Sequence, residues 1–307
     1  MKRSPLTILL ALLAVLAMLA AACGDDDDTS VADDEVADDA EDGAGAEDGA
    51  GNVERIVSLS PTATEILFAI GAGDQVVAVD QFSNHPADAP MTDLDGFSVN
   101  VEAVAEYDPQ IVTMQASAAT AELEALGITV IARDAPTDFD GIYSQIEELG
   151  AATGHMAEAA ELVLQIQTDI DALVATAPDA EGLTYYHELG TDYYSVNRDS
   201  FVAEVYALFG LQSIGDEADG EAFNGYLPLS EEFILGADPD MIFLADTIYA
   251  GQTAETVAAR PGWADLTAVQ QNAVVELDDD IASRWGPRVV EFAEAIAGVL
   301  AAVAAPA

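Results

Sequence analysis

Basic residues are nearly absent from this chain. Its 307 residues include 8 lysines and arginines against 57 aspartates and glutamates, a formal net charge of −49. Two of the eight, Lys2 and Arg3, stand at the extreme N-terminus, so the remainder holds six arginines and no lysine. Nucleic-acid binding is thereby excluded, because neutralising phosphates takes a basic footprint. Cysteine is scarcer still. Cys23 stands alone, which rules out a disulfide framework and a cysteine-based metal site. The three histidines, His85, His155 and His187, are widely spaced, and His187-Glu188 lacks the second histidine of a zinc-protease helix. There is no Gly-x-Ser-x-Gly elbow, no phosphate-binding loop ending in Gly-Lys and no Gly-x-Gly-x-x-Gly. Gly71-Ala72-Gly73 reads as a helix stop. These absences argue against an enzyme and call for no cofactor; a direct transition-metal site built from the three histidines stays open as an alternative.

What is present begins with a short basic start and an apolar run of 17 residues, 6–22, ending in three alanines before Cys23-Gly24. Residues 1–22 have the form of a secretory signal. Thirteen acidic residues follow between Asp25 and Asp48, with almost nothing to bury. Segment 23–52 therefore reads as a self-repelling, disordered tether.

From Arg55 onward, short apolar runs alternate with helical patterns. Strands are expected at 56–59, 76–79, 111–114 and 129–132, with helices opening at Pro61, over 101–107 and over 118–126. Thr62 and Glu65 have capping-box spacing. Residues 156–175 carry apolar side chains at helical spacing (Met156, Val163, Ile166, Ile170), bounded by Gly154 and Pro178. This is a helix about 30 Å long at about 1.5 Å per residue. The alternation then restarts, with strands at 184–187, 241–244 and 273–277 and helices at 201–209, 231–235 and 289–303. Such alternation predicts parallel sheets covered on both faces. The expected organisation is an α/β lobe over 53–141, a connecting helical region over 142–177 acting as a strut, and a second α/β lobe over 178–307.

The halves share a detail. Glu102 precedes Asp108-Pro109 by five intervening residues and a strand follows; Glu232 precedes Asp238-Pro239 by the same interval, and again a strand follows. The repeat places one glutamate per lobe at matching positions.

Several stretches together resemble the extracytoplasmic solute-binding proteins of ABC importers for cobalamin and ferric siderophores. They are the run from Ile56 to Glu65 (Ile-Val-Ser-Leu-Ser-Pro-Thr-Ala-Thr-Glu), Asn100-Val101-Glu102, Ala237-Asp238-Pro239-Asp240, Arg260-Pro261-Gly262-Trp263 and Arg284-Trp285-Gly286-Pro287-Arg288. The small-residue run before Cys23 resembles a bacterial lipobox, although Leu19 stands four residues before the cysteine where that motif has its leucine three before. The resemblance implies two doubly wound α/β lobes joined by one long helix, with the ligand between them. It implies a monomer anchored to the cell membrane through lipidated Cys23, binding a metal chelate (siderophore, cobalamin or haem) and delivering it to an ABC permease and its ATPase. It also implies that one glutamate per lobe, Glu102 and Glu232 with Glu231 as competitor, meets permease arginines. Phe82, Phe97, Tyr226, Arg284 and Trp285 become the ligand-contact candidates, with Tyr193 and Tyr194 beside them. Aromatic faces suit a corrin or aryl chelate, and an arginine fork suits an anion. A tethered sensor or scavenger without a transporter is the competing functional class.

Overall fold

A computed structural model describes residues 53–219 and 221–304. The expected signal segment 1–22, Cys23 and the acidic segment 23–52 lie outside the described residues.

The first half runs β1 (Ile56–Leu59), α1 (Pro61–Ala69), β2 (Val76–Val79), α2 (Val101–Ala105), β3 (Ile111–Met114), α3 (Ala119–Ala125) and β4 (Thr129–Ala132). Two helices, α4 (Phe139–Thr153) and α5 (Met156–Thr176), follow. The second half runs β5 (Thr184–Glu188), β6 (Tyr194–Val196), α6 (Phe201–Ala207), β7 (Gln212–Ser213), β8 (Tyr226–Pro228), α7 (Glu231–Ala237), β9 (Met241–Leu244), α8 (Ala254–Ala258), α9 (Thr267–Gln270), β10 (Val274–Glu276), α10 (Asp279–Ser283) and α11 (Val289–Ala304).

The strands form two four-stranded parallel sheets, ordered β2-β1-β3-β4 and β10-β9-β5-β7, and β6 pairs antiparallel with β8. Read from the β7 edge, the second order matches the first: each lobe's first strand lies between its second and third, with the fourth beyond. Both lobes are therefore doubly wound. Their strands are near-continuous apolar runs because both faces are covered. Alternation along a strand sends Met241 and Phe243 into the central core shared with α5 and α11, and Ile242 and Leu244 into a separate core beneath α7 and Trp263. In the first lobe, Ile56 faces the central core while Val57 and Leu59 face a core that includes Val104 and Leu123.

The chain passes between the sheets through α5, which buries Ala159, Val163, Ile166 and Ile170 along one stripe. It packs along α4 and against α11, so the strut is supported on both lobes. The connection is a helical pair. The helix α4 was not foreseen in full and starts at Phe139, where the Asp138 carboxylate accepts a bond from the Gly141 amide at 2.8 Å. Gly154, at φ +82°, ends it in the left-handed conformation that glycine adopts freely. His155, between the two helices, is half-buried, with Nε2 3.2 Å from the Gln75 amide nitrogen.

The capping-box expectation at Thr62 and Glu65 is corrected. Ser60 is the N-cap, its hydroxyl accepting from the Ala63 amide, and Pro61 occupies the first turn, where a missing N–H costs nothing. Glu65 is thereby two residues deeper in the helix and is buried for another purpose.

Candidate functional site

In sheets of this winding, clefts form outside the carboxyl ends of the strands where the order reverses. A cavity of about 630 Å³ opens there in the first lobe. Its floor is made by residues that follow β1 (Ser60, Pro61, Thr62), end or follow β3 (Met114, Gln115) and follow β4 (Arg133, Asp134). Tyr249, Asp280, Ser283, Arg284 and Trp285 close it from the second lobe.

Four of the five ligand-contact candidates line this cavity: Phe82, Phe97, Arg284 and Trp285. The Phe82 and Phe97 rings meet edge-to-face at 5.5 Å, and Phe97 is 80% exposed, an unusual position for a large apolar ring without a partner. Trp285 packs edge-on against Phe201. Tyr226 does not line the cavity. It sits on β8, partly buried against the central core, where burial pushes its phenol up to about 12. Tyr193 stacks on Trp263 deeper in the second lobe, and Tyr194 is exposed on β6; neither lines the cavity.

Arg284 reaches the cavity but is not a free fork. It is 7% exposed, and its terminal nitrogens donate to Glu65 Oε1 (3.1 Å), Asn84 Oδ1 (2.7 Å) and the Phe82 carbonyl (2.9 Å), with Asp280 Oδ1 at 2.7 Å. Arg288 adds a bidentate grip on Glu65, at 2.6 and 3.0 Å. Glu65 on α1 is thus held by two arginines of the opposite lobe. Three of these four contacts, to Glu65, Asn84 and Phe82, cross between the lobes, and together with Asp280 they explain why an arginine can be buried there at all.

The remaining arginines are also engaged. At the cavity floor, Arg133 grips both carboxylate oxygens of Glu148. Arg55 donates to the carbonyls of Tyr107 and Asp108, Arg198 pairs with Asp216, and Arg260 is bidentate to Glu188. Every described arginine is engaged within the protein. Asp80, Asp134, Glu148 and Asp280 meanwhile line the cavity. Asp80 is buried at the floor, where desolvation raises its pKa against the opposing pull of bonds from Ser83, Phe82 and Gly96. Its network continues through Ser83, Thr64 and Ser58 hydroxyls at 2.6, 3.0 and 2.8 Å.

Among the described residues, no group of three or more histidines, cysteines and carboxylates gathers in a metal-holding arrangement. His187 is fully buried on β5, with Nδ1 2.8 Å from the Tyr206 hydroxyl, and burial lowers its pKa to about 3.

The paired glutamates occupy equivalent local positions. Asn100 caps α2 and Ser230 caps α7, making Glu102 and Glu232 the second residue of their helices; both are exposed. Asp108 (φ 49°) and Asp238 (φ 47°) then turn the chain through the same left-handed conformation before the proline and the lobe's third strand. Glu231 is occupied differently: the Trp263 indole N–H donates to it at 3.1 Å.

Sequence reasoning passed over Tyr249, Asp80 and the Arg133–Glu148 pair. The signal available for Tyr249 and Asp80 was positional, since both follow the carboxyl end of a sheet strand.

Residues 56–281 match the family described as periplasmic binding protein. An ABC transporter substrate-binding lipoprotein of Bacillus subtilis is 29% identical over 256 residues, covering 80% of this chain and 79% of the relative. A cobalamin-binding protein of Halobacterium salinarum is 31% identical over 252 residues, or 78% of this chain and 67% of its own length. Among solved structures, the periplasmic vitamin B12 binding protein of Vibrio cholerae superposes with a TM-score of 0.66 at 26% identity, covering 82% of this chain and 98% of that one. The periplasmic haem binding protein of the same organism gives 0.70 at 23% identity, covering 80% and 98%, a likeness of fold alone.

Proposed function

The chain belongs to the periplasmic binding protein family, and from that premise we propose that it is the solute-binding component of an ABC importer, with a corrinoid as ligand in the cavity between its lobes. The observation that carries the choice of ligand is the state of the arginines. All six described arginines are engaged inside the protein, and four carboxylates line the cavity. Haem propionates or a catecholate chelate would each need a cation, and at this cavity supplying one means breaking an existing pair, the buried Arg284–Glu65 pair or the more exposed Arg133–Glu148 pair. A corrinoid asks for something different: apolar contact for the macrocycle and acceptors for its peripheral amide N–H groups. Phe82, Phe97, Trp285 and Tyr249 supply the first, and Asp134, Glu148 and Asp280 the second. The cobalamin-binding relative in Halobacterium salinarum supports the same reading.

Tryptophan fluorescence tests it. Trp285 lines the cavity while Trp263, the other tryptophan, is fully buried in the second lobe. Cyanocobalamin is expected to quench at one equivalent, whereas haemin and ferric catecholates leave the emission unchanged. Saturable binding of haemin or a catecholate without response to cyanocobalamin would refute the corrinoid assignment.

For delivery, Glu102 and Glu232 are the groups proposed to meet two permease arginines, with the ATPase behind them. Their exposure, matched helical position and freedom from the indole contact that occupies Glu231 support this. Such charge pairs fix orientation and speed encounter. Reversal of either charge (Glu102→Arg, Glu232→Arg) is expected to abolish uptake by cells while leaving the ligand Kd within about twofold, as for a remote exposed charge; parallel loss of both would remove the docking role. Lipidation at Cys23 would hold the protein at the outer face of the membrane, and mass spectrometry of the detergent-extracted protein checks it by the mass of the modified N-terminus.

A further inference from the structure

The aromatic walls of the cavity stand on loops, and each loop is fastened from below by one buried carboxylate. In the second lobe that group is Asp279, which is 4% exposed. It accepts the consecutive amides of Thr247 (2.7 Å), Ile248 (3.0 Å) and Tyr249 (2.9 Å), and the Thr247 hydroxyl at 3.0 Å. Three successive N–H groups converging on one anion fix the backbone of the loop that carries Tyr249, whose side chain is 70% exposed at the cavity. In the first lobe Asp80, 1% exposed, plays the matching part for Phe82 and Phe97: its carboxylate accepts the Ser83 hydroxyl at 2.6 Å, beside the amides of Phe82, Ser83 and Gly96, whose pull lowers its pKa against burial. The chain passes so close that a Cβ on Gly96 would lie 2.7 Å from Asp80 Oδ2 and 2.4 Å from the Leu59 carbonyl oxygen. Neither aspartate makes an ion pair, although arginines reach their neighbours Asn84 and Asp280. Their acceptor capacity goes to the loops themselves, to backbone amides and the Thr247 hydroxyl for Asp279 and to the Ser83 hydroxyl for Asp80.

We propose that Asp80 and Asp279 are positioning residues of the ligand site, one per lobe, each setting affinity through the aromatic side chain whose loop it holds rather than by touching the ligand. This rests on the reading that the cavity binds a corrinoid. An exposed ring on a free loop must be ordered by the ligand itself; a ring on a fastened loop meets it preorganised.

The test is a double-mutant cycle in cyanocobalamin binding. Removing a charge-accepting centre of this kind is expected to weaken binding about tenfold. Asp279→Asn and Tyr249→Ala should each do so, and the double variant should fall no further than about threefold below the weaker single one, because both act through the same contact. Asp80→Asn is to be paired with Phe97→Ala in the same way. Hydrogen exchange gives a readout independent of ligand: in Asp279→Asn the amides of 247–249 should exchange faster while those of β9 keep their protection. Additive losses in the cycle, or unchanged exchange at 247–249, would overturn the proposal for Asp279. Failure of wild-type protein to bind cyanocobalamin would instead take down the corrinoid reading on which the proposal rests.

Discussion

The two lobes share a winding and differ at the place where that winding makes a cleft. In the first lobe the crevice at the ends of β1 and β3 is open and forms the cavity. In the second lobe the matching crevice, at the ends of β5 and β9, is filled with the protein's own groups: Glu188 ends β5, Arg260 grips both its oxygens, and Arg260 also reaches Gln252 and lies 4.6 Å over the Trp263 ring. Asp246, just beyond β9, is buried beside them. A doubled fold therefore does not make two sites. One lobe supplies the floor, and the other spends its cleft on rigidity and presents Tyr249, Asp280, Arg284 and Trp285 as a wall.

The sharpest way to break this comparison is to remove the buried charges. Glu65→Ala leaves Arg284 and Arg288 without their shared carboxylate, and a loss of about 3–5 kcal/mol in urea unfolding is expected. Arg260→Ala strands Glu188 inside the second lobe, with a loss in the same range of about 3–5 kcal/mol. Because Glu65 ties the lobes to each other and Arg260 does not, only the first substitution should speed hydrogen exchange at the lobe boundary on α1 and α10.

Next in size are the effects of pH, which come from the filled crevice and its neighbour. Burial, and then the Glu188 and Asp279 carboxylates, push Asp246 up to about 7. Between pH about 4 and about 7 the folded chain keeps a proton that the unfolded chain has released, so this group makes stability decline as pH rises through that window. His187, held near 3 by burial, acts oppositely: between about 3 and 6.5 only the unfolded chain takes the proton, and stability is lost as pH falls. Thermal melts across pH 4–8 should show Asp246→Asn losing the decline and His187→Gln losing the acid limb. Equal slopes in wild type and both variants would contradict these assignments.

The smallest stability effect belongs to the open crevice. Phe97→Ala should change unfolding free energy by less than about 0.5 kcal/mol, since the ring is exposed. Its cost is expected in ligand binding, about tenfold in Kd, measured by the same quenching titration. A large stability loss would mean the ring serves the fold.

Much of this fold was legible because apolar strands buried on both faces announce themselves. The strands at Ile56–Leu59, Val76–Val79, Ile111–Met114, Thr129–Ala132 and Met241–Leu244 stand where the sequence pattern put them. The β6–β8 ribbon was not legible, since three-residue strands carry too little periodicity to register. The start of α4 was hidden because its cap, Asp138, sits in an acidic, proline-containing stretch that reads as loop. Site residues were harder. Phe82, Phe97, Arg284 and Trp285 came from motif resemblance, and their convergence is a tertiary fact. Tyr226 had the right chemistry on a strand that faces the core. Arg284 had the right place, but the ion network that occupies it depends on Glu65, more than two hundred residues away in sequence. Spacing along the chain carries no information about such a partner.

The central claim is that the cavity takes an electroneutral, amide-rich chelate because the protein's cations are already committed. Calorimetric titration with cyanocobalamin at low and at high sodium chloride addresses it most directly. The account predicts one equivalent bound and a Kd that changes by less than about threefold from 0.1 to 1 M salt, since the complex forms without a bare ion pair to screen. Steep weakening with salt, or binding restricted to anionic chelates, would contradict it.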